Sequence, residues 1–365
     1  MQDNTTHTPQ TVLEDVPPAV LELEPGSRAD EWHQHTFGGG WVYARARVAR
    51  TAWIGPNAAV FGRAQVLDSA RVCGNARVGG EACVRGNARV LDHAVVDGRA
   101  EVRDHAVIAD KARVAGNAEV RDHAEVRDHA VVEGVAVKLA GNARVAGKAR
   151  VADHARVLDT AEVSGRARVF GSAQVFGRAR VFGRAWCGGH TEVFGSARVC
   201  GAAGISDYAK VFGRARVGGN ARIAVGAFVA GCARIAGTAE VSGDVWIAGQ
   251  AQVLDNAWVG ENAVVNGSAQ VFGCAKVHGN AVICGNARVC GAAEVLDSAK
   301  VCEDAVVAGS AEVCGRARVY GRAMIYGDAW IAGDARVGGN DRLCRRPLWP
   351  ATHPSAGGLD RIEPA

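Results

Sequence analysis

The side chains able to do chemistry in this sequence recur at fixed intervals. Asp-His pairs stand at Asp92-His93, Asp104-His105, Asp122-His123, Asp128-His129 and Asp153-His154. Imidazole beside carboxylate is a donor set for a divalent cation and a group that titrates near pH 6. Asp104, His105, Asp122 and His123 are the four that an 18-residue interval sets in correspondence. Asp is also an ordinary turn former, so no metal is expected there. His190 and His278 stand singly as weak candidates for a general base, with nothing around either that suggests a substrate pocket. Arg180, Arg198, Arg216 and Arg234 recur every 18 residues with no acid among them, and Arg178 and Arg214 precede two of them by two positions. Phe228, Trp246, Val264 and Val282 form a second series at the same interval, wholly apolar.

The 11 cysteines are odd in number and show no CxxC spacing, which argues against a zinc site. Cys73, Cys200, Cys284, Cys290, Cys302 and Cys314 each directly follow a Val or Ile. Cys284 and Cys302 are 18 apart, close enough in register to oxidise, but free thiols are the expectation for all.

The recurring interval of 18 is three times six, and six is the beat of the whole sequence. Ala-x-Val-x-Gly/Asp-x runs for roughly 49 hexads from Ala46 to Val337, as in Arg113-Val114-Ala115-Gly116-Asn117-Ala118 and Arg288-Val289-Cys290-Gly291-Ala292-Ala293. Ala and Val two apart share one side of an extended strand, and an even period keeps that side constant. Both therefore point inward, while Gly or Asp supplies a corner. Two buried residues cannot make a core alone, so the corners must wind the chain into stacked coils. One slip breaks the beat: Ala130 and Ala143 are thirteen apart, and Ala136-Val137-Lys138-Leu139 holds an extra residue. It reads as a bulge or corner insertion with Lys138 looped out. Thr191 and Val245 replace the inward Ala, and Cys187 replaces the inward Val.

Val48 to Ala52, Val72 to Ala76 and Val289 to Ala293 place a small residue four positions after an aliphatic one, across a turn pair. That signature resembles the hexapeptide-repeat family. Gly40-Trp41-Val42 leading into Trp53-Ile54-Gly55-Pro56-Asn57-Ala58 also resembles the opening segment of bacterial repeat proteins of unassigned activity. The resemblance implies an all-β chain: a single-stranded left-handed parallel β-helix with three hexads per triangular coil, an exception to right-handed crossovers. About 16 coils of 18 residues, stacked about 4.8 Å apart, would form a rod on the order of 75 to 80 Å long. Residues 46–340 would be the helix, 25–45 an N-terminal cap holding Trp32, Trp41 and Tyr43, and 341–365 a C-terminal cap and frayed tail; 1–24 is expected to be disordered.

Stacking at 18 turns the two series into ladders. The six arginines become an anion-binding stripe or a solvated face, and the apolar ladder becomes a contact with a second copy. Nucleic acid is not expected, because a flat stripe offers no stacking platform, and ice binding would need Thr arrays that the outward positions lack. A net charge of +4 points to no membrane or polyanion overall, and neither a secretory signal nor a span of about 18 apolar residues is visible. A cytoplasmic location is the default. Many members of the family are acyltransferases with a His base in a cleft between subunits, and that is the alternative function. The favoured reading is a structural or interaction protein, a rigid rod acting as scaffold, spacer or self-associating subunit, with no cofactor.

Overall fold

Each hexad folds as a two-residue strand and a corner. The computed structural model describes residues 16–344, which fall into two compact units, one ending at His129 and one beginning at Ala130. Each unit is a parallel β-solenoid. In the second, Arg198–Val199 lies in register between Arg180–Val181 and Arg216–Val217. Consecutive strands of the sequence belong to different sheets, so every 18 residues contribute one strand to each of three faces. In the second unit the first face carries Arg150, Arg168, Trp186 and Gly204 outward. The second carries Lys210, Phe228, Trp246 and Val264, and the third carries Arg180 to Arg234.

Backbone hydrogen bonds run from one coil to the next. The Ser196, Arg198 and Cys200 N–H groups donate to the carbonyls of Gly213, Ala215 and Val217 at 2.7, 2.9 and 2.9 Å. The Ala197 N–H closes its own corner on the Phe194 carbonyl at 3.4 Å. Ala197, Val199, Ala215 and Val217 have 0% exposure, as the period requires. Burying a Val side chain stabilises by about 1.5–3 kcal/mol, and here that gain repeats on every strand. The departures fit the same slots: Val245 and Cys187 are fully buried, and burial pushes the Cys187 thiol up to about 12. Thr191 is also fully buried, and its Oγ1 has no hydrogen-bond partner, a cost on the order of 1–3 kcal/mol.

Corners need a left-handed residue every six positions. Gly195, at φ 70°, supplies it at no steric cost, and Asp104, at φ 62°, shows the substitute. An Asp in a turn commonly bonds its own backbone. Instead its carboxylate reaches the next coil: Asp153, Asp255 and Asp297 accept from the N–H of Gly171, Gly273 and Gly315 at 2.9, 3.0 and 2.9 Å. Asp68 to Gly86 at 2.9 Å and Asp92 to Asp110 at 3.2 Å repeat it in the first unit. The N–H of the left-handed residue, which the coil-to-coil ladder leaves unused, thus gains an acceptor from the coil before. Val225 occupies the same conformation at φ 60° without such chemistry, a strained place for a β-branched residue.

The slip is a corner insertion, one of the two readings the sequence allowed, but it does not fall at Lys138. Lys138–Leu139 is a strand, with Lys138 outward opposite Arg156 and both Val137 and Leu139 fully buried. Lys138 is therefore not looped out. The extra residue sits in the corner before it, where Val135 is 64% exposed, because the inward pair must keep its side and only a corner can absorb an odd residue.

At the start of the first unit, Trp32–Gln34 pairs antiparallel with Trp41–Tyr43, covering the first coil. Trp32 packs on Tyr43 with ring centroids 5.3 Å apart and donates its indole N–H to Ser27 at 3.0 Å. Of the stretch 1–24, residues 1–15 lie outside the described residues; from Val16 the chain is ordered, with a helical turn Pro18–Leu21 whose Val20 joins Trp32, Trp41 and Tyr43 in one cluster. Arg342–Leu343 still pairs with Met324–Ile325, so the coil continues past residue 341, and the rest of the expected C-terminal cap lies outside the described residues.

One expectation about cysteine is overturned. Cys284 and Cys302 face outward on adjacent coils with Cα atoms 4.6 Å apart and are joined as a disulfide, because the coil spacing itself falls within the bridging range. The other nine are free.

Two measurements check this account. Asp297→Ala removes the bond to Gly315 and leaves a side chain at positive φ, so the denaturation midpoint should fall by the equivalent of about 1–2 kcal/mol. Asp297→Gly should stay within about 0.5 kcal/mol of the parent; equal losses for both would show that the carboxylate bond, not the backbone, dominates. In alkylation followed by peptide mapping, Cys232 and Cys274 should react first and Cys187 not at all in the folded chain. Cys284 and Cys302 should react only after reductant, and their labelling without it would refute the pairing.

Candidate functional site

The outward positions are the only places left for chemistry once the core is filled by Ala and Val. Arg180, Arg198, Arg216 and Arg234 stand on successive strands of the third face as the sequence implied. The first is neutralised: its Nε donates to Glu162 at 2.8 Å. Arg198, Arg216 and Arg234 make no ion pair among the described residues. Arg178 and Arg214 are not on the strands themselves. They occupy the corner just before, alternating with Ser196 and Cys232. Along that corner Phe176, Phe194 and Phe212 stack ring on ring, with centroids 4.9 Å apart and planes within 3°. The sequence reading missed this column, although the Phe interval of 18 was its signal. The rings fill each other's faces at the coil spacing, leaving no gap for an inserted base.

Phe228, Trp246, Val264 and Val282 form the apolar ladder of the second face in strict register. Phe228 and Trp246 stack with centroids 5.5 Å apart, and Trp246 is 43% exposed. Lys210 and Lys300 bound the ladder, the former ion-paired with Glu192 at 3.2 Å.

Asp104, His105, Asp122 and His123 are brought together on adjacent corners of the first unit. The imidazoles of His105 and His123 stack at 4.9 Å with planes 21° apart. The carboxylates are engaged elsewhere: Asp104 accepts from Arg103 at 3.2 Å and from the Asp122 N–H at 3.3 Å, and Asp122 lies 3.8 Å from Arg121. Among the described residues no group of three or more His, Cys, Asp and Glu is arranged to hold a metal ion. His190 stacks on Tyr208 at 5.0 Å. His278 is fixed more firmly, with Nε2 2.8 Å from Glu294 and its ring 5.2 Å from Trp258.

Like charges on adjacent coils are handled in two ways. On the first unit Glu101 and Glu119 are lateral neighbours, and arginines thread between them. Arg85 donates to Glu101 and Arg103 donates to Glu119 at 2.6 Å; these hydrogen bonds raise both guanidinium pKa values further. On the first face of the second unit no such threading occurs around Arg166, Arg168 and Arg184. With Phe170 and Trp186 they line an open depression of about 490 Å³. A smaller one, about 310 Å³, lies over Lys300, Arg318, Arg336 and Tyr320 on the second face. Neither was foreseen. Their signal in the sequence is an aromatic residue followed 18 positions later by glycine: Phe170 and Gly188, Trp186 and Gly204, Tyr320 and Gly338.

No helix among the described residues is long and apolar enough to cross a membrane. No curated protein matches the chain. A family model described as the YdcK beta solenoid repeat matches residues 317–333. That stretch holds Arg318–Val319, Met324–Ile325 and Trp330–Ile331, one strand in each sheet. The chain is therefore similar to that repeat over a single coil, and its own fold is a parallel β-solenoid built of such coils throughout both units.

Proposed function

We propose that the chain is a structural or interaction protein, a β-solenoid scaffold that associates with a second copy of itself and carries no catalytic site of its own. The apolar ladder of the second face carries this reading. A flat row of Phe228, Trp246, Val264 and Val282 is self-complementary under a two-fold axis between the middle coils: Trp246 then meets Val264, and Phe228 meets Val282, large against small. Aromatic anchors at the centre of such a contact contribute most of its stability. The winding is read as left-handed, as the resemblance to the hexapeptide-repeat family implies. A cytoplasmic location belongs to the same reading. There the reducing thiol pool opposes the Cys284–Cys302 link, so its oxidation state in extracts reports the compartment.

The acyltransferase alternative keeps one supporting observation, the His278 imidazole held against Glu294. That reading requires a cleft at a subunit boundary, so it depends on the same association.

Sedimentation velocity over a concentration series is the test. The parent should form a defined oligomer, and Trp246→Lys should raise its dissociation constant at least about tenfold, equivalent to about 1.4 kcal/mol. A parent that stays monomeric at all concentrations would end both the self-association reading and the inter-subunit acyltransferase.

The stripe of Arg198, Arg216 and Arg234, with Arg178, Arg180 and Arg214 beside it, is proposed as a docking surface for an anionic partner. Unpaired guanidinium groups at the coil spacing repel one another, and an oxyanion relieves that repulsion. Binding of a linear polyanion such as polyphosphate should weaken steeply with salt, and the triple variant Arg198→Gln, Arg216→Gln, Arg234→Gln should lower the salt slope by about two to three charges. An unchanged slope would place the anion elsewhere.

A further inference from the structure

We propose that the depression lined by Arg166, Arg168, Arg184, Phe170 and Trp186 binds a phosphorylated ligand with a planar ring, of the nucleoside mono- or diphosphate class. It lies on the first face of the second unit, away from the arginine stripe and from the apolar ladder. Its volume, about 490 Å³, is that of a small-ligand site.

The cationic half comes from three guanidinium groups. Arg168 is outward on the strand Arg168–Val169, while Arg166 and Arg184 occupy equivalent corner positions on adjacent coils. None of the three makes an ion pair among the described residues. The coil before offers no acid at the matching positions, which hold Lys148 and Arg150, and Arg150 is taken by Glu133 at 3.0 Å. The coil after holds Ala202 and Gly204. On the first unit the same fold compensates a like-charge ladder within the chain; here the compensation is missing. Guanidinium forks match the oxygens of a phosphate and can engage it bidentately.

The aromatic half is shaped by glycine. The Trp186 ring passes over Gly204, where an added Cβ would meet it at 2.4 Å, and Phe170 passes over Gly188, where the distance would be 2.5 Å. Gly204 takes the outward position of the strand Gly204–Ile205. Glycine weakens a strand and marks a close approach, and what approaches here is the indole. The two rings lie side by side, centroids 6.1 Å apart and planes 26° apart, unlike the closed Phe176, Phe194 and Phe212 column. Their outer faces stay accessible, with Phe170 at 37% exposure. A base stacked on these rings sets its phosphate among the three arginines. A plain oxyanion would use only half of the site.

Titration calorimetry of the full chain tests this, with adenosine 5′-monophosphate and adenosine 5′-diphosphate as probes, and ribose 5-phosphate and inorganic phosphate as ring-free controls. The nucleotides should bind saturably at one site per chain, at least tenfold more tightly than either control. The double variant Arg168→Gln, Arg184→Gln should weaken nucleotide binding at least tenfold. Trp186→Leu and, independently, Phe170→Leu should bring nucleotide affinity down toward that of ribose 5-phosphate. Arg216→Gln, on the other face, should leave it unchanged. Circular dichroism of each variant confirms that the fold is kept. The proposal is overturned by absence of saturable binding at millimolar nucleotide, by equal affinities for nucleotide and inorganic phosphate, or by loss in Arg216→Gln as large as in the double variant.

Discussion

Every feature of this protein depends on the hydrogen bonds that pass from each coil to the next. A residue's N–H meets the carbonyl of the residue 17 further on, as Arg198 meets Ala215. This register holds only while each 18-residue turn closes with the same geometry. The hexad is the unit that guarantees closure: two inward residues of fixed small volume and one left-handed corner. A single odd residue must go to a corner, as Val135 does, or every following side chain would change sides. The Asp corners extend the same logic, since a carboxylate at positive φ serves the N–H of the coil beneath rather than its own turn.

Because the register is constant, outward side chains do not mix at random. Each meets its equivalents one coil away, at about 4.8 Å, so any repeated residue becomes a column. Columns of one charge are costly, columns of rings favourable, and paired cysteines are set within bonding range. The molecule shows each outcome: arginines interleaved with Glu101 and Glu119, phenylalanines stacked at 4.9 Å, and Cys284 joined to Cys302. Where a like-charge column has no ion pair among the described residues, as at Arg198, Arg216 and Arg234, the surface is left with an unmet electrostatic demand. The same holds where cations gather beside rings laid over glycine, at Arg166, Arg168, Arg184 and Trp186. Surfaces of this kind, rather than a cleft in a core, are where a solenoid with a filled interior meets other molecules.

The backbone was legible in the residues because periodicity acts on it directly. The alternation of Ala and Val assigned the inward side of every strand, and the Gly or Asp beat assigned the corners. The interval of 18 then placed Phe228 beside Trp246 and Arg198 beside Arg216. Several things escaped that reading. Lys138 was misplaced because an insertion can be absorbed at several neighbouring positions, and only burial of Val137 and Leu139 selects one. The Cys284–Cys302 bridge was left open because composition suggested free thiols. The chain before Trp32 looked unstructured because its few apolar residues, Val16 and Val20, gain a partner only once Trp32 and Tyr43 form a surface.

The sequence by itself determined the inward side of each strand and the place of each corner, since these follow from the period; three faces and columns 18 residues apart were what the resemblance to the hexapeptide-repeat family implied. Only the tertiary structure decided how the long outward side chains settle: that Arg180 turns to Glu162 while Arg198 makes no ion pair among the described residues, that Trp186 lies across Gly204, and that His278 leans on Glu294. The reason is physical. An inward Ala or Val has one place to go, whereas Arg, Trp and His have several rotamers of similar energy, and the choice among them rests on neighbours that meet only when the coils are stacked.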